Sequence, residues 1–368
     1  MVRLRIGILS RWNATCGISL HAELVAREWA AAGHKVVVFA PYPTSAGEDW
    51  HHKLIEGAEE EPWVMRCYDE TDEPTGGRID IEKVLSFDMD VMVIEIYGRL
   101  PARSLGRLVR IVRSRGVPVV GVVHLTTPRE FEPFAGIELN AYVVFDRRYV
   151  DEILARYLPK ERLARVKEIP YPCVKGLRVE PRRPGFASGK VLFFTFGRQP
   201  PEEYRDYLDA LDRLSRSYDL VYWVIRSDGL LRVEKPWLVQ WRRRPPLDEV
   251  YSYLKAADVH LIPKSRGFGK VVVSSTVYQT LAAYVPTVIP DGRYVETIPS
   301  DSDGIGPVVK YKDLDDLTEK LRALIEDDGL RRRVVEEARR FVERHGSDRI
   351  AARFVELFEE LLSQPLRA

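Results

Sequence analysis

The sequence predicts an α/β protein made of two Rossmann-like units, and three observations carry that expectation. A chain of 368 residues is long for a single core and suits two. Near-continuous apolar runs such as Val91-Met92-Val93-Ile94 and Pro118-Val119-Val120-Gly121-Val122-Val123 alternate with helical periodicity, as strands buried on both faces of a parallel sheet require. That rhythm stops in residues 173–189, which carry prolines, glycines and arginines without a period, and restarts with Lys190 to Phe196. The expected boundaries are a first domain over 1–172, a linker over 173–189, a second domain over 190–345 and a terminal helix over 346–368.

Arg5-Ile6-Gly7-Ile8-Leu9-Ser10 is the first strand. A polar loop from Arg11 to Gly17 leads into a helix whose buried face is Ile18, Ala22, Val25 and Trp29. Gly33-His34 ends that helix, and Lys35 to Ala40 is the next strand, closed by Pro41. This opening lacks the G-x-G-x-x-G of dinucleotide binders, so a nicotinamide or flavin role loses support. His21 falls on the helix near the core and reads as structural. Residues 42–80 are polar and weakly patterned, and are expected to form loops with an edge hairpin. Asp88-Met89-Asp90 spells a D-x-D, yet it abuts the N-terminal end of a strand, whereas α/β sites lie at carboxyl ends. It reads as a solvated strand cap.

Residues 101–115 form a helix with Leu105, Leu108, Val109 and Val112 on one side and Arg103, Arg107 and Arg110 on another. The arginines read first as a solvated face, and a peripheral membrane contact through this helix is the functional alternative. The strand ending at Val123 delivers His124 to its carboxyl end, where open α/β sheets keep their sites. Glu95 ends the neighbouring strand. Ala141 to Phe145 and Val166 to Pro170 complete the first sheet. In the second half, strands are expected at 190–196, 219–225, 237–241 and 259–263, with a helix at 248–257. Gly197-Arg198 follows the first of these strands. Arg242-Arg243-Arg244 reads as a solvated cluster. Helices follow at about 314–326 and 330–343, and the last runs to Leu362.

Composition narrows the class. Hydrophobic residues make up 45% and charged residues 30%, with a formal net charge of +1, so nothing global points to nucleic acid. No run of apolar residues reaches membrane-spanning length, and the N-terminus opens without a signal-peptide pattern, which implies a cytoplasmic address. Cys16, Cys67 and Cys173 are dispersed and odd in number, indicating neither a disulfide framework nor a zinc site. Asn13 and Asn140 are the only asparagines, while Arg and Glu abound, which fits a heat-adapted source. A melting midpoint within the mesophile range of about 45–65 °C would remove that expectation.

The stretch from Gly267-Phe268-Gly269-Lys270 through Ser274-Ser275-Thr276 to Thr287-Val288-Ile289-Pro290 reads as a loop, a hydroxyl-rich helix start and a buried strand. Free amides, the helix dipole and Lys270 all favour an anion there. The stretch resembles the nucleotide-sugar site of GT-B glycosyltransferases of the family-four group, in which Gly-Phe-Gly precedes a helix reading E-A-M-A-x-G-x-P-V-I. Set on Pro286, that pattern falls on Gln279 to Val288. This chain departs from it: the helix Glu is Gln279, the Gly is Tyr284, the Glu before Gly-Phe-Gly is Arg266, and about five extra residues separate Gly269 from Pro286.

The resemblance implies a GT-B fold, two Rossmann-like domains facing across a cleft, with the C-terminal helix crossing back to the first. It implies Arg198 and Lys270 as catalytic contacts to a diphosphate, supported by Gly197, Gly269, Ser274, Ser275 and Thr276, with Gln279 near the ribose. Arg293-Tyr294-Val295-Glu296 resembles the family's G-x-P-E segment. His124 would contact sugar or acceptor, with Glu95 a further candidate and the Gly17 loop shaping the acceptor pocket. The lysine that follows Gly-Arg in the family is Glu203 here. The implied reaction is retaining transfer from a nucleoside-diphosphate sugar to a glycan, lipid or small-molecule acceptor, with neither metal nor cofactor. The changed positions leave open a non-catalytic, nucleotide-sugar-binding or partner subunit. An inverting enzyme with His124 or Glu95 as base is the third reading.

Overall fold

The computed structural model describes residues 3–45, 59–73 and 75–364. Part of the expected edge hairpin and the extreme termini lie outside the described residues. The chain divides into two compact units. One takes Met1–Pro172, Gly269–Ser275 and His345–Ala368; the other takes Cys173–Phe268 and Thr276–Arg344.

The first unit holds seven parallel strands: β1 (Arg5–Leu9), β2 (Lys35–Pro41), β3 (Val64–Tyr68), β4 (Val91–Ile96), β5 (Val119–Val123), β6 (Ala141–Val144) and β7 (Val166–Glu168). Their order is β3-β2-β1-β4-β5-β6-β7, the doubly wound arrangement that reverses direction between β1 and β4. Helices α1 (Gly17–Ala31), α2 (Ile81–Leu85), α3 (Ala102–Ser114), α4 (Pro128–Phe131) and α5 (Lys160–Leu163) connect them. Every residue of β4 and β5 is buried, which is why those segments read as unbroken apolar runs. Glu95 is the exception in charge. Ahead of β4, Asp88 and Asp90 both pair with Arg5, fastening the start of β1 to the start of its neighbour.

The second unit holds β8 (Val191–Gly197), β9 (Leu220–Arg226), β10 (Leu238–Arg242), β11 (Val259–Leu261), β12 (Thr287–Pro290) and β13 (Val309–Tyr311). They too are parallel, ordered β10-β9-β8-β11-β12-β13, with the reversal between β8 and β11. Helices α6 (Arg205–Leu214), α7 (Leu247–Ala256), α8 (Ser275–Thr280), α9 (Leu314–Glu326) and α10 (Asp328–His345) complete it. One face of the sheet packs Phe193, Tyr207, Tyr222 and Leu321; the other packs Phe194, Trp223, Val250 and Leu254. The terminal α11 (Ser347–Ser363) lies on α1 of the first unit. There the Trp29 indole N–H donates to Ala351 O at 3.0 Å and its ring meets Phe354 and Phe358 edge-on.

The structure differs from the sequence reading, or adds to it, at four points. The supposed edge hairpin contains β3, which pairs with β2 in parallel; its first residues are only half-buried, so the sequence shows no clean alternation. Strand β13 and helix α6 went unread, the former because three residues carry too little period to register. The segment expected as the linker is packed. Its Leu177 and Val179 pack against the second core, and Arg182 N–H donates to Ser252 O at 2.9 Å. Lastly, Gly269–Ser275 groups with the first unit rather than the second. Val271 N–H donates to Thr126 O at 2.8 Å, and the Arg148 guanidinium donates to Val272 O at 3.2 Å.

Candidate functional site

The carboxyl edge of the first sheet assembles a buried triad. Strand β4 carries Glu95, the residue after β5 is His124, and the first turns of α1 carry His21. The His21 Nδ1 to Glu95 Oε1 distance is 2.8 Å, and His124 Nε2 to Glu95 Oε2 is 2.5 Å. His21 and Glu95 are fully buried, and the His124 side chain is 6% exposed. Phe145 and Tyr171 wall the His21 ring, and Phe145 also meets His124.

Burial alone would push the Glu95 carboxyl up; the charges and hydrogen bonds of His21 and His124 overcome it and hold it at about 2. Burial pushes His124 below its ordinary value, against the pull of Glu95. An ionised carboxylate only accepts, so each imidazole must donate from the nitrogen that faces it. His124 therefore keeps a lone pair on Nδ1 when neutral. His21 Nε2 is buried without a hydrogen-bond partner among the described residues, so the imidazole's hydrogen bond is the one to Glu95.

Donor atoms of His21, Glu95 and His124 lie within 4.8 Å of one another, close enough to raise the question of a metal ion. Two ligands on one tetrahedral zinc would sit roughly 3.3 Å apart, given metal–ligand bonds of about 2.0–2.1 Å. The observed 2.5 and 2.8 Å are hydrogen-bond lengths. The three groups are spaced to share protons.

Beside the triad, Arg11 follows β1 and pairs with Glu70 at 2.5 Å, both side chains buried. The Arg11 guanidinium lies 4.3 Å from the Tyr97 ring centre, and Tyr97 and Tyr68 share a hydrogen bond of 2.8 Å. A buried pair of this kind is costly to break, because the surviving charge is left without water. Gly17 opens α1, with its carbonyl accepting from Tyr171 OH at 2.6 Å. A Cβ there would stand 3.0 Å from the Ser275 Cβ, so any larger residue would crowd that side chain.

In the second unit the loops leaving β8 and β11 flank the strand reversal. Gly197 holds φ at 135°, a backbone only glycine adopts freely, and half-buried Arg198 follows. Arg226, at the end of β9, donates to Gln199 O at 2.9 Å and Gly229 O at 2.6 Å, shaping the Gly197–Gln199 turn. The departures from the family pattern have structural occupations. Glu203 accepts from Ser265 N–H at 2.9 Å. Arg266 donates to Asp291 O at 2.6 Å and to Lys312 O, tying the β11 loop to the ends of β12 and β13. Glu296 pairs with Arg293 at 2.7 Å.

Of the residues singled out from sequence, the fold unites Glu95 with His124 and sets Gly17 against Ser275. Gly269, Lys270, Ser274 and Ser275 belong to the first unit; Gly197, Arg198, Thr276, Gln279 and Glu296 belong to the second. Helix α8 spans six residues, shorter than the pattern implied, so its dipole is a weaker anion site than expected. The sequence reading of His21 as a structural histidine near the core agrees with its full burial, while its pairing with Glu95 and the places of Arg11 and Arg226 beside the candidate sites were not read from sequence. Their one visible signal is a charged or titratable residue at a strand end or on a helix's apolar face.

Scanned against protein-family models, the chain matches none. Solved structures do match it along its length. A glycosyltransferase from Rickettsia africae aligns at 12% identity with a TM-score of 0.67, covering 99% of this chain and 100% of that one. HepE from Anabaena, in complex with UDP and glucose, aligns at 13% identity and a TM-score of 0.62, covering 97% and 100%. A trehalose-6-phosphate synthase studied for glycosyl transfer with retention aligns at 12% and 0.65, covering 97% and 99%. With both parallel sheets and the terminal helix included in these alignments, the chain has the GT-B fold of glycosyltransferases.

Proposed function

We propose that this chain is a glycosyltransferase. It moves a sugar from a nucleoside-diphosphate sugar to a glycan, lipid or small-molecule acceptor, with retention of configuration and without a metal. The observation that carries the reading is the Glu95–His124 pair, placed at adjacent strand ends in a GT-B fold, where a neutral imidazole lone pair can meet a hydroxyl. HepE, which has this fold, binds UDP-glucose, and a structural neighbour transfers sugar with retention; both lend support. In the proposed reaction the bond from the sugar's anomeric carbon to the diphosphate breaks, and a bond from that carbon to the acceptor oxygen forms. The acceptor's proton passes to the departing phosphate. Arg198 and Lys270 are the cations assigned to the growing charge, helped by amides and hydroxyls of Gly269 to Thr276. Gln279 takes a ribose hydroxyl, as donor and acceptor.

A second reading has its own observation. Glu203 and Arg266, which stand where the family keeps a lysine and a glutamate, hold backbone in place. A protein so altered could bind a nucleotide sugar without turning it over. Incubation with a panel of UDP-, GDP- and ADP-sugars separates the two: donor hydrolysis or transfer supports the enzyme, and binding without turnover supports the second reading. Binding of none refutes both.

The proposed setting is the cytoplasm, with peripheral contact to an anionic membrane face through α3. Among the described residues no helix is long and apolar enough to cross a membrane. The apolar side of α3, Leu105, Leu108, Val109 and Val112, is buried in the protein, which leaves only its exposed Arg103, Arg107 and Arg110 to meet lipid. Attraction of about 1 kcal/mol per arginine makes the contact electrostatic and salt-sensitive. Replacing all three by serine should weaken binding to anionic vesicles roughly a hundredfold. Equal sedimentation of the native protein with neutral vesicles would sink the idea.

A further inference from the structure

His21 would have no use for its nitrogens if packing were its only task. The ring is fully buried. Phe145 and Tyr171 wall it with ring centres 5.4 Å away, and Phe354 of α11 stands at 5.9 Å. Nε2 has no hydrogen-bond partner among the described residues. A leucine or phenylalanine would fill the same aromatic cage and leave no polar atom bare, and a bare buried polar atom costs stability. The nitrogen that does bond accounts for a histidine here. It is Nδ1, 2.8 Å from Glu95 Oε1.

The cage also fixes where that nitrogen points. Tyr171 is pinned by its own OH, which donates to Gly17 O at 2.6 Å. Phe354 comes from the helix whose Ala351 O accepts from Trp29, further along α1. Held by these rings, the imidazole has little room to turn away from the carboxylate.

Glu95 has two oxygens and gives one to each imidazole. Burial drives its carboxyl towards the neutral acid, and the pulls against it come first from His21 and then from His124. Without the His21 donor, Oε1 is left bare in a desolvated space and the carboxyl takes up a proton. A neutral carboxyl donates to His124 Nε2, which then has to accept, and the imidazole carries its own proton on Nδ1. Loss of a donor at His21 thus reverses the tautomer of His124.

We propose that His21 is a positioning residue: by donating to Oε1 it holds Glu95 as a fixed carboxylate, so that His124 keeps its proton on Nε2 and its lone pair on Nδ1. His21 touches no substrate in this scheme. The use made of the His124 lone pair rests on the transferase reading, whereas the tautomer does not.

Nitrogen NMR on the full chain with isotope-labelled histidine reads the protonated nitrogen of each imidazole without any substrate. In the native protein at neutral pH, His21 should carry its proton on Nδ1 and His124 on Nε2. His21→Leu should move the His124 proton to Nδ1. His21→Gln, whose amide can still donate to Glu95, should keep it on Nε2. With a sugar donor and acceptor, kcat/KM should fall about two- to tenfold in His21→Leu, the worth of one hydrogen bond, and recover in His21→Gln. A purely structural role would lower the melting midpoint and leave the His124 tautomer alone. His124 still protonated on Nε2 in a folded His21→Leu protein overturns the proposal. So does a native His21 without a proton on Nδ1, a result that needs no variant to fold. The expected tautomers in a native protein that neither binds nor turns over sugar nucleotides support the proposal and sink the transferase reading instead.

Discussion

Arg198→Ala is expected to lower sugar transfer by about 100- to 1000-fold and leave the fold intact. The residue directly follows β8, after a glycine whose backbone takes a conformation other residues avoid, at the reversal of strand order. As the sugar leaves, negative charge grows on the diphosphate oxygens, and a fixed guanidinium lowers the barrier because it need not reorganise. The effect belongs to the transition state, so it should appear in kcat more than in KM. Arg198 is half-buried and outside the apolar cores, so the melting midpoint should move little. Rates near native in a folded Arg198→Ala protein would remove Arg198 from the machinery.

Glu95→Gln is expected to act on both rate and stability. The amide keeps the shape but puts an N–H₂ against an imidazole nitrogen that now has to accept, and one of the two hydrogen bonds is lost. His124 then loses its fixed tautomer and orientation. Misplacement of a contacting group by about 1 Å costs on the order of 100-fold. One buried group left unsatisfied costs about 1–3 kcal/mol in stability. The pH dependence gives a readout that packing alone would not move. The folded carboxyl titrates at about 2, below the ordinary 4.5, so its contribution is present above pH 4.5 and fades as pH falls towards 2. His124, also lowered, adds a loss that begins as pH drops below 6.5. Stability measured against pH should therefore lose its lowest phase in Glu95→Gln and keep the one near 6.5. An unaltered acid limb would show that Glu95 is not held as an ion.

The strand pattern was legible because burial on both faces of a parallel sheet demands consecutive apolar residues, and β4, β5 and β9 are buried throughout and apolar but for Glu95 and Arg226. His124 was legible for a related reason: a polar residue at the end of such a run has to face the sheet's carboxyl edge. His21 was not. It lies on an apolar helix face, where a histidine reads as packing, and its partner is 74 residues away. The basic face of α3 was read correctly in composition, but its apolar face belongs to the core, and periodicity alone does not say which surface covers a helix. Residues 269–275 group with the first unit although their sequence neighbours lie in the second, because hydrogen bonds from Val271 N–H to Thr126 O and from the Arg148 guanidinium to Val272 O hold them there, and such partners exist only once the fold does.

By itself, then, the sequence determined two doubly wound sheets and the strand ends where chemistry belongs, since period, length and strand-breaking residues are local properties. Only the tertiary structure decided that Glu95 bridges two imidazoles and that Arg266 and Glu203 hold a loop. Those outcomes depend on which distant atoms share a desolvated space, where a lone charge is costly and a matched hydrogen bond is favourable, and no local pattern encodes that meeting.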